Sequence, residues 1–217
     1  MNRYDTVVFD LDGTLLNTLD DLADAVNYVM RMNHYPERTV DEVRRFVGNG
    51  IRRLMELATP ESVTGEAFES VFEEFKNYYT EHCQIKTCAY EGIMSLLERL
   101  YALGYEMAIV SNKNHAAVCE LNEIYFKKYI KVAIGQQDGI QKKPAPDTVL
   151  QALKELGKEK DTAIYVGDSE VDFLTAQNTG MDCALVTWGF RTREELSEFT
   201  PTAWADHPEQ LFEVLEK

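Results

Sequence analysis

The sequence predicts an α/β protein: a doubly wound parallel sheet with a small all-helical domain inserted after its first strand. Three observations carry that prediction. A short apolar run, Val7-Val8-Phe9, ends in two acids, Asp10 and Asp12, with Gly13 behind them. The stretch 17–83 has helical spacing and no convincing strand. From Tyr90 onward, short apolar strands alternate with amphipathic helices, the rhythm of parallel strands joined by crossover helices.

The elements follow in order. Thr18 stands where a cap precedes a helix carrying Leu19, Leu22, Ala23, Val26, Val29 and Met30 at three-and-four spacing. Asn33 to Arg38, with Pro36, breaks it. A second helix is predicted from Thr39 to Phe46, with Asp41 and Glu42 in its first turn, where the helix dipole favours acids. Gly48-Asn49-Gly50 ends it, and a third runs from Ile51 to Ala58. A fourth, from Thr64 to Glu81, carries the stripe Phe68, Val71, Phe72, Phe75, Tyr78 and Tyr79. That stripe, like Tyr28, reads as core of the helical insert, because its spacing matches one helix face. Then comes a helix from Gly92 to Leu103, stopped by Gly104. Strand 106–110, helix 115–124, strand 132–134 and a helix opening at Pro146 follow. Strand 163–166 leads into a helix that stops before Gly180. Strand 183–186, a short strand 203–205 and one or two surface helices finish the chain. The predicted division is a core of 1–16 and 84–217, with 17–83 as the insert.

Composition narrows the function classes. The chain has 217 residues, 45% of them hydrophobic, and a net charge of -15. Such acidity opposes binding to nucleic acid or to anionic membranes, and no apolar run reaches the ~18 residues of a membrane span. A strand begins within six residues of the start, which leaves no room for a signal peptide. Cys83, Cys88, Cys119 and Cys183 form no Cys-x-x-Cys pair and have no histidine at zinc spacing. Reduced thiols and a cytoplasmic location are expected.

Four strand ends carry the chemistry. Ligands bind at the carboxyl ends of strands in open α/β sheets. Asp10 and Asp12 at the first end invite Mg²⁺, and an ionised carboxylate attacks phosphorus without a base. The alternative is a helix cap. Strand 106–110 ends in Ser111-Asn112, a hydroxyl and backbone N–H groups suited to phosphoryl oxygens; the alternative is a capping serine. The loop before Pro146 holds Lys142-Lys143-Pro144, and a fixed ammonium offsets charge between an anionic nucleophile and a phosphate. Lys143 is the better candidate, because the following proline favours an extended backbone that aims the side chain inward; the alternative is an exposed lysine pair. Strand 163–166 ends in Gly167-Asp168-Ser169-Glu170-Val171-Asp172. Asp168 is a candidate Mg²⁺ ligand or an N-cap, and Asp172 falls on the same helix face. Independent caps would not supply two acid pairs, a hydroxyl and a lysine at successive strand ends.

With FDLDGT, VSN, KKPAPD and GDSEVD in that order, the chain resembles the haloacid dehalogenase superfamily of phosphotransferases. LDGTLLNTLDDLADAVN, FVGNGIRRLM and GDSEVDFLTAQNTGM resemble its phosphoglycolate phosphatase-like branch. Asn17 stands where many relatives carry Asp, outside the chemistry. The resemblance implies a Rossmann-like core with strands ordered third-second-first-fourth-fifth, and a helical cap after the first strand. It also implies that Asp10 is the nucleophile forming an aspartyl-phosphate, and that Asp12 is the acid, then the base for water. Mg²⁺ would be held by the Asp10 carboxylate, the Asp12 backbone carbonyl and Asp168. Asp172 would hold metal-bound water or orient Lys143, while Ser111, Asn112 and Lys143 hold the phosphoryl group.

The implied activity is Mg²⁺-dependent hydrolysis of a small phosphorylated metabolite, with phosphoglycolate as leading substrate and the protein a monomer or homodimer. A phosphomutase, a pyrophosphatase and a nucleotidase are alternatives on the same scaffold. Asp12 argues against dehalogenation, because halide leaves without protonation. In the insert, Gly50 and the N–H groups of its turn, with Arg52 or Arg53, are candidate contacts for a substrate carboxylate or a second anion; the alternative is an ordinary turn with surface arginines.

Overall fold

The structure, a computed structural model, describes residues 3–216. Two compact units emerge: Met1–Leu16 with Ala89–Lys217, and Asn17–Cys88.

The first unit begins with β1 (Thr6–Phe9), fully buried. The chain leaves through β2 (Leu16–Asn17), passes through the second unit, and returns through β3 (Cys88–Ala89), which pairs with β2. Sequence reading treated these two stretches as hinges, because two-residue strands are too short to show a period. The second unit holds α1 (Leu19–Met32), α2 (Val40–Phe46), α3 (Ile51–Ala58) and α4 (Gly65–His82). Back in the first unit come α5 (Ile93–Ala102), β4 (Glu106–Asn114), α6 (His115–Tyr125), β5 (Val132–Gln136) and α7 (Asp147–Leu156). They are followed by β6 (Ala163–Gly167), α8 (Glu170–Thr179), β7 (Asp182–Val186), β8 (Ala203–Ala205) and α9 (Pro208–Leu215).

Among the described residues six strands form one sheet in the order β5-β4-β1-β6-β7-β8, and every pairing is parallel. This is the third-second-first-fourth-fifth order with a sixth strand at one edge. Side chains alternate across the sheet with period two. Val7 and Phe9 pack with residues of α5, α6 and α9. Val8 packs on the other face with Val149, Ala152 and Leu153 of α7 and Ala176 of α8. Helices therefore cover both faces, as a parallel sheet requires. The tail helix α9 is more than a surface element: Leu211 and Leu215 are fully buried.

The second unit has its own apolar core, from Leu22, Val26, Val29 and Met30 of α1 to Phe68, Phe72 and Phe75 of α4. Tyr28 and Tyr78 are half-buried and stacked at 3.8 Å. Thr39 closes a capping box with Glu42 at the start of α2. Thr18 precedes α1, yet its hydroxyl makes no capping bond, being buried without a hydrogen-bond partner. Asp21, in the first turn of α1, accepts instead from the Lys86 and Thr87 N–H groups and the Thr87 hydroxyl. That clamp ties 86–87 to the helical unit. All four cysteines carry free thiols. No helix among the described residues is long and apolar enough to cross a membrane.

Candidate active site

The register of the sheet assembles the site. β1 lies between β4 and β6, with Phe9 level with Ile109 and Val166. The next residue, Asp10, therefore leaves the sheet beside Val110 and Gly167, and the Asp10 N–H donates to Val166 O at 2.8 Å. Ser111 and Asp168 each follow one residue later. Three adjacent strands, β4, β1 and β6, thus deliver their polar residues within one residue step of each other.

Asp10, Asp168 and Asp172 are buried, and their carboxylate oxygens lie within 4.8 Å of one another. Lys143 joins them. Its Nζ lies 2.8 Å from Asp10 Oδ1 and 2.7 Å from Asp172 Oδ1, with 2% of its side chain exposed. The alternative of an exposed lysine pair fails for Lys143 and holds for Lys142, which is exposed. The Lys143-Pro144 peptide is cis. Asn112 Nδ2 donates to Lys143 O at 3.1 Å, and Asn178 Nδ2 to Pro144 O at 2.8 Å, so β4 and α8 both pin this loop.

The capping alternatives resolve differently at each strand end. β4 runs on through Asn114, so Ser111 and Asn112 lie inside it, both buried, and the Asn114 side chain caps α6. Ser111 Oγ accepts from Lys113 N at 3.1 Å. Ser169, not Asp168, is the N-cap of α8, with Asp172 closing the capping box. Asp168 is free of that duty. Its Oδ1 accepts from the Thr14 hydroxyl at 3.2 Å and its Oδ2 from Phe190 N–H at 2.6 Å. Asp172 works on two sides: Oδ2 accepts from Asp168 N, Ser169 N and Ser169 Oγ, while Oδ1 takes Lys143 and the Tyr165 hydroxyl.

Close approach demands glycine at both Gly13 and Gly189, where the two segments meet around Asp168. Gly13 has φ +90, and a Cβ there would lie 2.5 Å from Asp168 Oδ2. At Gly189 a Cβ would lie 2.3 Å from Gly13 O and 2.4 Å from Asp168 Cβ. Trp188 Nε1, one residue earlier, donates to Thr14 O. The loop after β7 therefore closes on the Gly13-Thr14 turn, a contact between distant segments that no local pattern announces.

Sequence reading also passed over Tyr165 and Lys113. Tyr165 is fully buried on β6, its hydroxyl 3.1 Å from Lys143 Nζ. A tyrosine inside a buried strand needs a partner for its hydroxyl, which is the signal that would have found it. Lys113 Nζ lies 3.4 Å from Asp12 Oδ1.

Electrostatics shows what the cluster lacks. Burial, then the Asp172 charge, push Asp10 well above the usual carboxylate range, against the pull of Lys143. Burial and Asp172 likewise raise Asp168 to about 7. Burial disfavours the Lys143 ammonium, but the charges of Asp10 and Asp172 overcome it and hold the lysine charged. Lys143 alone does not balance the three acids; burial is the main cause of both upward carboxyl shifts, and the Asp172 charge adds to it. Hard oxygen donors with excess negative charge fit a divalent cation such as Mg²⁺.

Gly50, Arg52 and Arg53 belong to the second unit. Gly50 precedes α3 with φ +86. The Arg52 guanidinium makes a two-pronged pair with Glu69, at 2.9 and 2.7 Å, and lies over Phe72. Arg53 pairs with Glu56 at 3.0 Å.

A parallel sheet that gathers three acids and a buried lysine at the ends of its central strands defines a hydrolase of the aspartate-and-lysine kind. The chain belongs to the haloacid dehalogenase-like hydrolases, whose family model matches residues 7–186. Phosphoglycolate phosphatase 1 of Pseudomonas aeruginosa is 32% identical over 211 residues, covering 94% of this chain and 77% of that protein. A phosphoglycolate phosphatase of Aquifex aeolicus is 31% identical over 196 residues, covering 89% and 90%. A crystal structure from Lactobacillus delbrueckii, provisionally assigned as a phosphoglycolate phosphatase, superposes with a TM-score of 0.93. It is 36% identical and covers 100% of this chain and 99% of its own.

Proposed function

We propose that this hydrolase is a Mg²⁺-dependent phosphatase acting on a small phosphorylated metabolite, with phosphoglycolate as its substrate. The observation that carries the reading is Lys143 lodged between Asp10 and Asp172 at the end of β1. Such a site holds a nucleophilic carboxylate against a phosphate dianion while offsetting their repulsion. The similarity to phosphoglycolate phosphatases supports the choice of substrate.

The steps follow from the side chains. Asp10 attacks phosphorus in line with the leaving oxygen, giving an aspartyl-phosphate, while Asp12 supplies the proton the leaving oxygen needs. Asp12, now a carboxylate, takes a proton from water, which attacks the aspartyl-phosphate and frees inorganic phosphate and Asp10. Lys143 stays charged throughout, and with Ser111 and Asn112 it holds the phosphoryl oxygens. Mg²⁺ would be held by the carboxylates of Asp10 and Asp168 and the backbone carbonyl of Asp12; when bound, it neutralises charge on the phosphoryl group. Asp172 Oδ1 pairs with Lys143 Nζ at 2.7 Å while its Oδ2 accepts from three groups at the start of α8, which supports a role in orienting Lys143.

The helical insert, 17–83 on the sequence pattern, is proposed as the cap that selects leaving groups. Gly50, Arg52 and Arg53 are its candidate contacts, and the arginines would serve only by giving up Glu69 and Glu56. The protein is expected to be cytoplasmic, with no nucleic-acid partner, as a monomer or homodimer. The deciding experiment measures phosphate release from a panel holding phosphoglycolate, pyrophosphate, nucleoside monophosphates and sugar phosphates, with and without Mg²⁺. Mg²⁺-dependent release, led by phosphoglycolate and abolished in Asp10→Asn, is expected. Turnover by Asp10→Asn, or the conversion of a bisphosphorylated sugar to an isomer without free phosphate, would refute it.

A further inference from the structure

Lys113 follows Asn112 on β4 and turns inward, with 7% of its side chain exposed and Nζ 3.4 Å from Asp12 Oδ1. We propose that Lys113 is a specificity-determining residue that receives a carboxylate carried by the leaving group. The proposal rests on the phosphatase reading, and it goes further by assigning the residue that reads the substrate's acid end.

The two lysines divide the site. Lys143 is held by Asp10, Asp172 and Tyr165 and serves the phosphoryl side. Asp12, as proton donor, must stand beside the leaving oxygen, so a cation 3.4 Å from its carboxylate stands on the leaving-group side of the site, within about two hydrogen-bond lengths of that oxygen. In a substrate with its carboxylate one carbon beyond the ester oxygen, the two oxygen positions are roughly 3 Å apart by standard bond lengths. Such a carboxylate falls within reach of Nζ. Because the ammonium is largely desolvated, its contact with an anion counts for more than a surface contact would. The arginines of the helical unit are held in closer pairs, Arg52 with Glu69 at 2.7 Å and Arg53 with Glu56 at 3.0 Å, than the 3.4 Å between Lys113 and Asp12.

The test compares kcat and KM on phosphoglycolate and on ethyl phosphate, which has a similar alkoxide leaving group and no carboxylate. Wild-type protein, Lys113→Met and Lys113→Arg are assayed with saturating Mg²⁺. Wild type is expected to prefer phosphoglycolate. In Lys113→Met the ratio of kcat/KM for phosphoglycolate over ethyl phosphate should fall about 10- to 100-fold, mainly through KM, the scale of one charge-assisted contact. Lys113→Arg should keep most of the preference. Where the Met variant does not fold, Lys113→Gln carries the same expectation. An unchanged ratio, with equal losses on both substrates, would overturn the proposal and leave Lys113 as a support for Asp12. A wild type without preference for the carboxylate would overturn it too. A wild type that hydrolyses neither substrate would overturn the phosphatase reading itself.

Discussion

Lys143→Met removes an ammonium and keeps most of the side chain's bulk. Its cost follows from the ion pairs that the substitution breaks. Lys143 makes two buried ion pairs, at 2.8 Å to Asp10 and 2.7 Å to Asp172, and a hydrogen bond to Tyr165. Removing one partner of a buried pair orphans the other charge, at about 3–5 kcal/mol. Asp10 then takes up a proton rather than remain charged, which keeps the cost from exceeding that range. For a chain of this size each kcal/mol moves Tm by about 2–4 °C, so a drop of roughly 6–20 °C is expected in EDTA near neutral pH. The gap should shrink as pH falls, because the orphaned carboxylates become protonated, and shrink again with Mg²⁺, because the ion supplies the missing charge. Circular-dichroism melts across those conditions measure it. Adding Asp172→Asn should cost less in the Lys143→Met background than in wild type, since the two residues act as one unit. A Lys143→Met melt in EDTA within ~1 kcal/mol of wild type, or additive losses in the double variant, would show that the lysine does not bridge these acids in solution.

Other consequences are equally direct. Asp168, raised to about 7 by burial and by Asp172, keeps a proton below neutrality in the metal-free protein. Mg²⁺ must displace that proton, so its affinity should weaken as pH falls below 7; titration calorimetry in buffers of different ionisation enthalpy should detect proton release near pH 6 that fades by pH 8. Gly189→Ala places a Cβ 2.3 Å from Gly13 O and 2.4 Å from Asp168 Cβ. It should cost about 1–3 kcal/mol and raise the Mg²⁺ concentration needed for half-maximal turnover; an unaltered Mg²⁺ requirement would show that the loop does not position Asp168. Asp12→Asn should lower turnover of an alkyl phosphate by about 10²–10⁴-fold and that of an activated aryl phosphate much less. Equal losses on the two would remove Asp12 as the proton donor.

The sequence by itself determined the α/β class, the helical character of the stretch after the first strand and the segments where polar residues follow the strands. Those features are written in local patterns: Val7-Val8-Phe9 running into Asp10, the three-and-four spacing of α1 and α4, and Gly180 stopping α8. Each depends on residues a few positions apart, and so survives in one dimension. Only the tertiary structure decided which side chains are buried and which of them meet. It buried Lys143 and left Lys142 in solvent. It made Ser169 the helix cap and so freed Asp168 to meet Thr14 and Phe190. It brought Tyr165 to Lys143, Lys113 to Asp12 and Gly189 to Gly13. These partners are tens to more than a hundred residues apart, and what joins them is the parallel register of β4, β1 and β6 and the loops it aligns. A charge or a hydroxyl takes its role from the groups around it once water is excluded, and those groups are chosen by the packing of the sheet, not by neighbours along the chain.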